Sequence, residues 1–349
     1  KSGIIKMKDY KAAVVGLGVM GCIADGLSGR HPQWYPPCNH ADIYRHHPKI
    51  QLVSGCSRST AKREYFQDKY PSVTVYQDYV DLLSQEQIDI ISVATPATCH
   101  AEIVIAAAEA GVKGIYCEKA MATSLIECDK MIRACQDYGS TLIINHQRRW
   151  DNHYIALKHF LDKGDLGDLQ TVQISFGNGR LCRGGSHWFD LALMLVDDKI
   201  ATGLGWLSDP HEFDPGGIGI FETEKGIRIV IDGSIGMNHS CQVDIVGKNG
   251  IIRIIDDGFQ FELWRLDPES EFGLMAKYHL PISYSVSSPM LNAIDNLIDS
   301  LQTGNKPQSS GHDGRAAFEM ISAIHLSHFD DRKNIPFPIQ NRELVINSD

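Results

Sequence analysis

Between Tyr10 and Asn145, short apolar runs rich in β-branched residues alternate with helical segments, and this alternation constrains the fold more than any other feature. The runs "KAAVVGLG", "IQLVSGCS", "VTVYQD", "IDIISVAT", "KGIYCEKA" and "STLIINHQ" have the length and nearly continuous apolar character of strands covered on both faces. Between them, "CHAEIVIAAAEAG" and "SLIECDKMIRACQDYG" carry helical periodicity and stop at Gly111 and Gly139, the residue type that closes helices. Alternation of this kind builds a parallel sheet with helices on both faces.

The first strand runs into "VVGLGVMG", which sets Gly16, Gly18 and Gly21 in GxGxxG spacing, with Val19 and Met20 opening the next helix. That spacing supplies a tight strand-to-helix turn, close approach of backbone to a pyrophosphate, and N–H groups aimed at negative charge. Residues 1–145 are therefore read as a Rossmann-type dinucleotide-binding domain. The stretch from Cys22 to Val53 is too long for one helix, so about 26–39 reads as an insertion, after which "ADIYRHHP" resumes the helix. Where a ribose-binding carboxylate usually closes the second strand, this chain has Cys56, Ser57, Arg58 and Ser59. A hydroxyl and a guanidinium suit a 2′-phosphate, so NADP(H) is favoured over NAD(H).

After Trp150 the pattern changes. One helical segment, "HYIALKHFLDKG", precedes strands joined by the hairpin signals "TEKG", "GKNG" and "DDG", and two amphipathic helical segments follow. At 349 residues the chain exceeds one ordinary core. Residues 146–349 are expected to form an α+β domain with a large, mostly antiparallel open sheet. Such a sheet needs covering by helices or by another copy, and a homodimer or homotetramer is expected.

A net charge of -10, with no continuous basic stretch, argues against a nucleic-acid surface. No apolar run approaches the length of a membrane span, and "MKDYKAAVVGLG" from Met7 reads as a natural start, residues 1–6 carrying no weight. Nine cysteines form no CxxC pair, which fits reduced thiols and a cytoplasmic location. Cys38, His40, His46 and His47 match no standard zinc spacing, and no metal site is expected.

The fourth strand ends in Ala94, Thr95 and Pro96, with a helix starting near His100, and the fifth runs directly into Glu118 and Lys119. A charged pair at a strand end is often just the strand reaching solvent. In the order GxGxxG, ATPxxxH, AGxxxxxEK, "NHQRRW", however, the chain resembles the Gfo/Idh/MocA oxidoreductases over nearly its whole length. The resemblance implies hydride transfer at a carbinol or keto carbon of a sugar, cyclitol or derivative. It also implies that Thr95, Pro96 and His100 belong to the cofactor site, that Glu118 touches the nicotinamide ribose and that Lys119 helps manage the hydroxyl proton. Position 120 is Ala where the family commonly has Pro, so a trans Lys119–Ala120 bond is expected.

"LCRGGSHWFDLALML" presents His187 after Gly184 and Gly185. The resemblance places such a histidine at the nicotinamide, supported by Asp190. A histidine can take the O–H proton as the carbonyl forms while Lys119 stabilises the developing alkoxide; the plain alternative is a core histidine at a helix start. Arg183, where many relatives have Asp, suits an anionic substrate. Arg148, Arg149 and Trp150 begin the interdomain crossover. Arg149, Trp150, Arg183 and Trp188 form the substrate-facing set. Two other readings use the same fold: a redox-neutral, glycosidase-type enzyme with retained NAD, and a non-catalytic sugar sensor.

Overall fold

The structure, a computed structural model, describes residues 9–24, 35–177, 179–235 and 241–348. Residues 1–6 and most of the expected insertion, 26–34, lie outside the described residues. The chain divides into two compact units: 1–122 with 127–150 and 287–312, and 123–126 with 151–286 and 313–349. Helices among the described residues are α1 (His40–His46), α2 (Thr60–Lys69), α3 (Tyr79–Gln85), α4 (His100–Glu109), α5 (Leu125–Tyr138), α6 (Asn152–Asp162), α7 (Ser186–Val196), α8 (Pro289–Thr303) and α9 (Gly311–Phe329).

In the first unit, strands β1 (Tyr10–Val15), β2 (Ile50–Cys56), β3 (Thr74–Tyr76), β4 (Ile90–Val93), β5 (Gly114–Cys117) and β6 (Thr141–Ile144) form a sheet in the order β3-β2-β1-β4-β5-β6. Every pairing is parallel. The order reverses between β1 and β4, so the carboxyl ends of these strands flank a crevice where doubly wound sheets bind ligands. All six strands lie where the apolar runs place them.

The single boundary near residue 145 differs from the observed division, because 287–312 belongs to the first unit. The reason is the apolar stripe of α8. Met290, Ala293, Ile294, Leu297 and Ile298 are buried in one cluster with Tyr116, Ile143 and Trp150. Burying each larger side chain contributes about 1.5–3 kcal/mol, enough to bring this distant segment back. Ser288 caps α8 by accepting from the Leu291 amide at 3.2 Å, Pro289 opens it, and Gly304 closes it at φ 76°.

The second unit carries β7 (Leu169–Gly177), β8 (Ile200–Leu207), β9 (Gly217–Thr223), β10 (Arg228–Ile235), β11 (Cys241–Gly247), β12 (Gly250–Ile255), β13 (Gln260–Leu266), β14 (Met275–Tyr278) and β15 (Ile335–Pro336). Their order is β14-β13-β12-β11-β7-β10-β9-β8-β15. The sheet is antiparallel except where β7 meets β10 in parallel. Period-two alternation buries Val172, Ile174 and Phe176 of β7 and Val243 and Ile245 of β11 on one face. Two helices cover that face: Phe189 of α7 meets Phe221 edge-on, and Ile324 of α9 approaches so closely over Gly205 and Gly219 that a Cβ there would stand about 3.0 and 2.7 Å from it.

Candidate active site

The phosphate turn forms from residues that tolerate no side chain. Gly16 adopts φ +98°, and a Cβ on it would meet the Ala94 carbonyl oxygen at 2.3 Å. A Cβ on Gly21 would stand 1.9 Å from the Gly16 carbonyl oxygen. Gly18 differs: its missing side chain opens toward Lys62, whose Nζ is the nearest atom among the described residues, at 3.7 Å. The turn therefore closes tightly on the sheet at Gly16 and Gly21 and leaves its backbone accessible at Gly18.

This turn borders a cavity of about 610 Å³ at the carboxyl ends of β1, β2, β3 and β4. Its walls include Gly16, Gly18, Ser57, Arg58, Ala94, Thr95 and Pro96, seven of the residues expected to bind cofactor. Among the described residues the buried Thr95 Oγ1 atom has no hydrogen-bond partner, an uncommon situation for a buried hydroxyl and one that a ligand's donor or acceptor resolves. Lys62, Asp78, Tyr79 and Glu102 also line the cavity and were missed in the sequence. A signal existed for Lys62, which lies four residues after Arg58 as α2 begins. Burial, with Asp78 adding to it and Arg63 opposing, pushes the Cys56 thiol up to about 12, so this wall presents a neutral thiol.

The remaining expected cofactor residues sit elsewhere. Val19 is 57% exposed on the short helical turn Val19–Ile23, beside Met20. His100 is fully buried, and its ring nitrogens lie 2.8 Å from the Thr95 carbonyl oxygen and 3.0 Å from that of Ala120. Burial lowers its pKa, against the opposing pull of those carbonyls. The neutral ring, with one N–H, donates to one of these carbonyls and packs against the other, between the end of β4 and the turn after β5. The Lys119–Ala120 peptide in that turn is cis, which corrects the expectation of trans. The Ala120 carbonyl of this turn is directed at His100.

Glu118 is not a strand end reaching water. It is buried, and its Oε1 accepts from Asn145 Nδ2 at 2.6 Å and from His40 Nε2 at 3.1 Å, while Oε2 accepts from the Lys119 amide at 3.3 Å. Burial alone would raise its pKa. The hydrogen bond from His40, the charge of Lys119 and the Asn145 amide outweigh that and hold the carboxyl at about 2. Lys119 follows, half-buried. Cys38, His40, His46 and His47 turn to separate partners: Cys38 to the Ala24 carbonyl, His40 to Glu118, His46 to the Asp42 carbonyl and His47 to Asp295.

Two residues expected at the substrate are core residues. Trp150 is buried in the first unit, edge-on to Tyr116, with its indole N–H donating to Asn296 Oδ1 at 3.1 Å. Trp188 is buried in the second, stacked on Phe176. An aromatic next to charged residues looks exposed in sequence, but the area each ring buries drew it inward. Arg149 donates to the Gln308 carbonyl at 3.1 Å. In the second unit His187 is half-buried in the first turn of α7, above a buried Asp190. Asp214 fixes the preceding loop by accepting from the amides of Cys182 and Arg183 at 2.9 and 2.8 Å, which leaves the Arg183 side chain exposed.

Residues 11–146 match the family described as "Oxidoreductase family, NAD-binding Rossmann fold", Gfo/Idh/MocA. The chain is 24% identical to the D-apiose dehydrogenase of Paraburkholderia graminis over 326 residues, covering 84% of this chain and 85% of that protein. It is 27% identical to the inositol 2-dehydrogenase of Salmonella typhimurium over 273 residues, covering 70% and 73%. In fold it is similar to the WlbA dehydrogenase of Bordetella pertussis, solved with NADH and UDP-GlcNAcA, at a TM-score of 0.75 and 19% identity over 95% of this chain and 100% of that one. A glycine turn crowded against β4, a cavity at the point where strand order reverses, and an acid–lysine pair closing β5 fit these relationships, and residues 11–146 match the NAD-binding Rossmann fold of the Gfo/Idh/MocA oxidoreductases.

Proposed function

We propose that this oxidoreductase is an NAD(P)-dependent dehydrogenase acting at a carbinol or keto carbon of a sugar, cyclitol or close derivative, with NADP(H) favoured over NAD(H). The observation that carries the reading is the cavity that joins Gly16 and Gly18 to the uncompensated Thr95 hydroxyl and to the cations Arg58 and Lys62. The named relatives, which act on apiose and inositol, support the substrate class. The nicotinamide, when bound, accepts or supplies the hydride.

The chain's own groups handle the proton and the charge. Lys119 carries a cation beside the strand end and stabilises charge developing on the substrate oxygen. His187 takes the hydroxyl proton in the oxidative direction and returns it in the reductive one. Arg183, exposed in the loop that Asp214 fixes, selects an anionic group on the substrate. Arg58 meets the 2′-phosphate. Accessible apolar positions on the second sheet, among them Ile220 at 38% exposure, favour assembly as a homodimer or homotetramer. Among the described residues no helix is long and apolar enough to cross a membrane, and a cytoplasmic location is the reading the reduced cysteines favour.

The test is a panel of sugars, cyclitols and their acids, each offered with NADP+ and NAD+ and followed at the nicotinamide absorbance. Substrate-dependent reduction, faster with NADP+, is expected. Cofactor binding without turnover on any member would defeat the dehydrogenase reading, and equal or faster use of NAD+ would defeat the cofactor preference.

A further inference from the structure

His40 contacts the carboxylate of Glu118 at the end of β5. It is the first residue of α1, delivered by the Asn39 cap, and is fully buried. Its Nε2 lies 3.1 Å from Glu118 Oε1 and its Nδ1 lies 2.7 Å from Ser92 Oγ. Ser92 Oγ is in turn 2.6 Å from the Tyr44 hydroxyl. The His40 ring stands edge-on to Tyr116 at 4.7 Å. The Tyr116 hydroxyl donates to Asn145 Oδ1, and Asn145 Nδ2 donates to the same Glu118 oxygen. Two arms, one from α1 and one from the end of β6, therefore hold one oxygen.

We propose that His40 is a positioning residue for the Glu118–Lys119 pair, locked in its Nε2–H tautomer by the Tyr44–Ser92 hydroxyl chain. The assignment follows from counting hydrogens. A carboxylate only accepts, so Nε2 carries the hydrogen toward Glu118. Burial keeps the Tyr44 phenol protonated, and Ser92 is its partner. Tyr44 therefore donates to Ser92, because otherwise its hydrogen would be buried without an acceptor. Ser92 then donates onward, and Nδ1 accepts. Every hydrogen in the chain is used once, and every one points toward Glu118.

The consequence falls on Glu118, which is covalently next to Lys119. Fixed by His40 and Asn145 through Oε1, the carboxylate keeps Oε2 on the Lys119 amide and so holds the start of the turn that carries the lysine. This inference rests on the proposed dinucleotide site for its functional effect, whereas the tautomer does not depend on that site.

Two measurements separate these parts. Nitrogen NMR of the imidazole in the intact protein is expected to show Nε2 protonated and Nδ1 accepting near neutral pH. An imidazolium or an Nδ1–H tautomer would overturn the chain as drawn, whether or not any cofactor binds. Functionally, His40→Phe, which keeps a ring and loses both nitrogens, is expected to weaken NADP(H) binding and to lower kcat by about tenfold each. His40→Gln, whose Nε2 can still donate to Glu118, is expected to recover most of both. In a Glu118→Gln background, His40→Phe is expected to add little.

Wild-type binding and turnover in His40→Phe, no recovery in His40→Gln, or full additivity with Glu118→Gln would overturn the positioning role. Should His40→Phe fail to fold, Tyr44→Phe removes the first donor and leaves the ring in place. A loss of about threefold in cofactor affinity is then expected, and unchanged affinity counts against the proposal. A wild-type protein that binds neither dinucleotide sinks the functional reading and the positioning role with it, leaving the tautomer to the NMR result.

Discussion

The Nζ of Lys62 stands 3.7 Å from the point a Cβ on Gly18 would occupy, so the first turn of α2 sets a cation over the open part of the phosphate turn. Arg58, four residues earlier, lines the same cavity nearer the end of β2. Their placement divides the work. Lys62→Ala is expected to weaken NAD(H) and NADP(H) alike, by about tenfold, because the pyrophosphate is common to both. Arg58→Ala is expected to weaken NADP(H) by a similar factor and to leave NAD(H) within about twofold, since only NADP(H) has the 2′-phosphate. Titration of nicotinamide fluorescence with both cofactors checks this, and equal losses for Arg58→Ala would remove the basis for preferring NADP(H).

A second expectation concerns Gly21, where a Cβ would stand 1.9 Å from the Gly16 carbonyl oxygen. The atom it would meet is backbone and not the end of a flexible side chain, so something in the turn must shift. Gly21→Ala should therefore cost about 2–3 kcal/mol or more and displace the turn. A lowered melting temperature together with lost dinucleotide affinity is expected. Gly111→Ala is a useful contrast: nothing lies within 4 Å of a Cβ there, so its cost is confined to the strain of φ +80°, about 1 kcal/mol, with affinity unchanged.

Acid unfolding should report the burial of Glu118. In the unfolded chain its carboxyl titrates near 4.5, and in the folded protein it is held at about 2. Above 4.5 both states are ionised and the contribution to stability is complete. Between 4.5 and about 2 the unfolded state takes up a proton that the folded state does not, and the contribution is lost as pH falls. Glu118→Gln removes that linkage. The variant should be less stable than wild type at pH 7, with the difference shrinking toward pH 2 when followed by circular dichroism. A difference that stays constant from pH 7 to pH 2.5 would contradict the depressed pKa.

What could be read ahead of the structure followed from local rules. Strand length, helix periodicity and glycine spacing act over a few residues, so the six-stranded sheet, the turn at Gly16 and the strand ends at Thr95 and Glu118 were all legible. What escaped depends on distant partners. His40 and Glu118 are 78 residues apart, and the histidine follows a stretch that reads as an insertion. The apolar stripe of α8 announces a buried face without saying which sheet it covers. Trp150 follows two arginines and so looks like a cleft residue, yet the core of the first unit claims it. The cis Lys119–Ala120 bond runs against the residue-type rule that favours trans wherever proline is missing.

The proposed division of proton handling between Lys119 and His187 gives the sharpest test of the chemistry. Lys119→Met keeps length and loses the cation, and His187→Ala removes the imidazole beside the buried Asp190. General acid–base groups contribute about 10²–10⁴ to rate, so each variant should lose turnover by that order while melting within a few degrees of wild type. The two should differ in pH dependence. Loss of an acid–base histidine removes the limb of the kcat profile that this histidine carries, whereas loss of the lysine charge lowers the profile with that limb retained. Solvent deuterium effects on kcat supply an independent check, because an effect carried by His187 disappears in His187→Ala and persists in Lys119→Met. Wild-type turnover in either variant would reassign that residue, and an unchanged pH profile in His187→Ala would move the proton to another group.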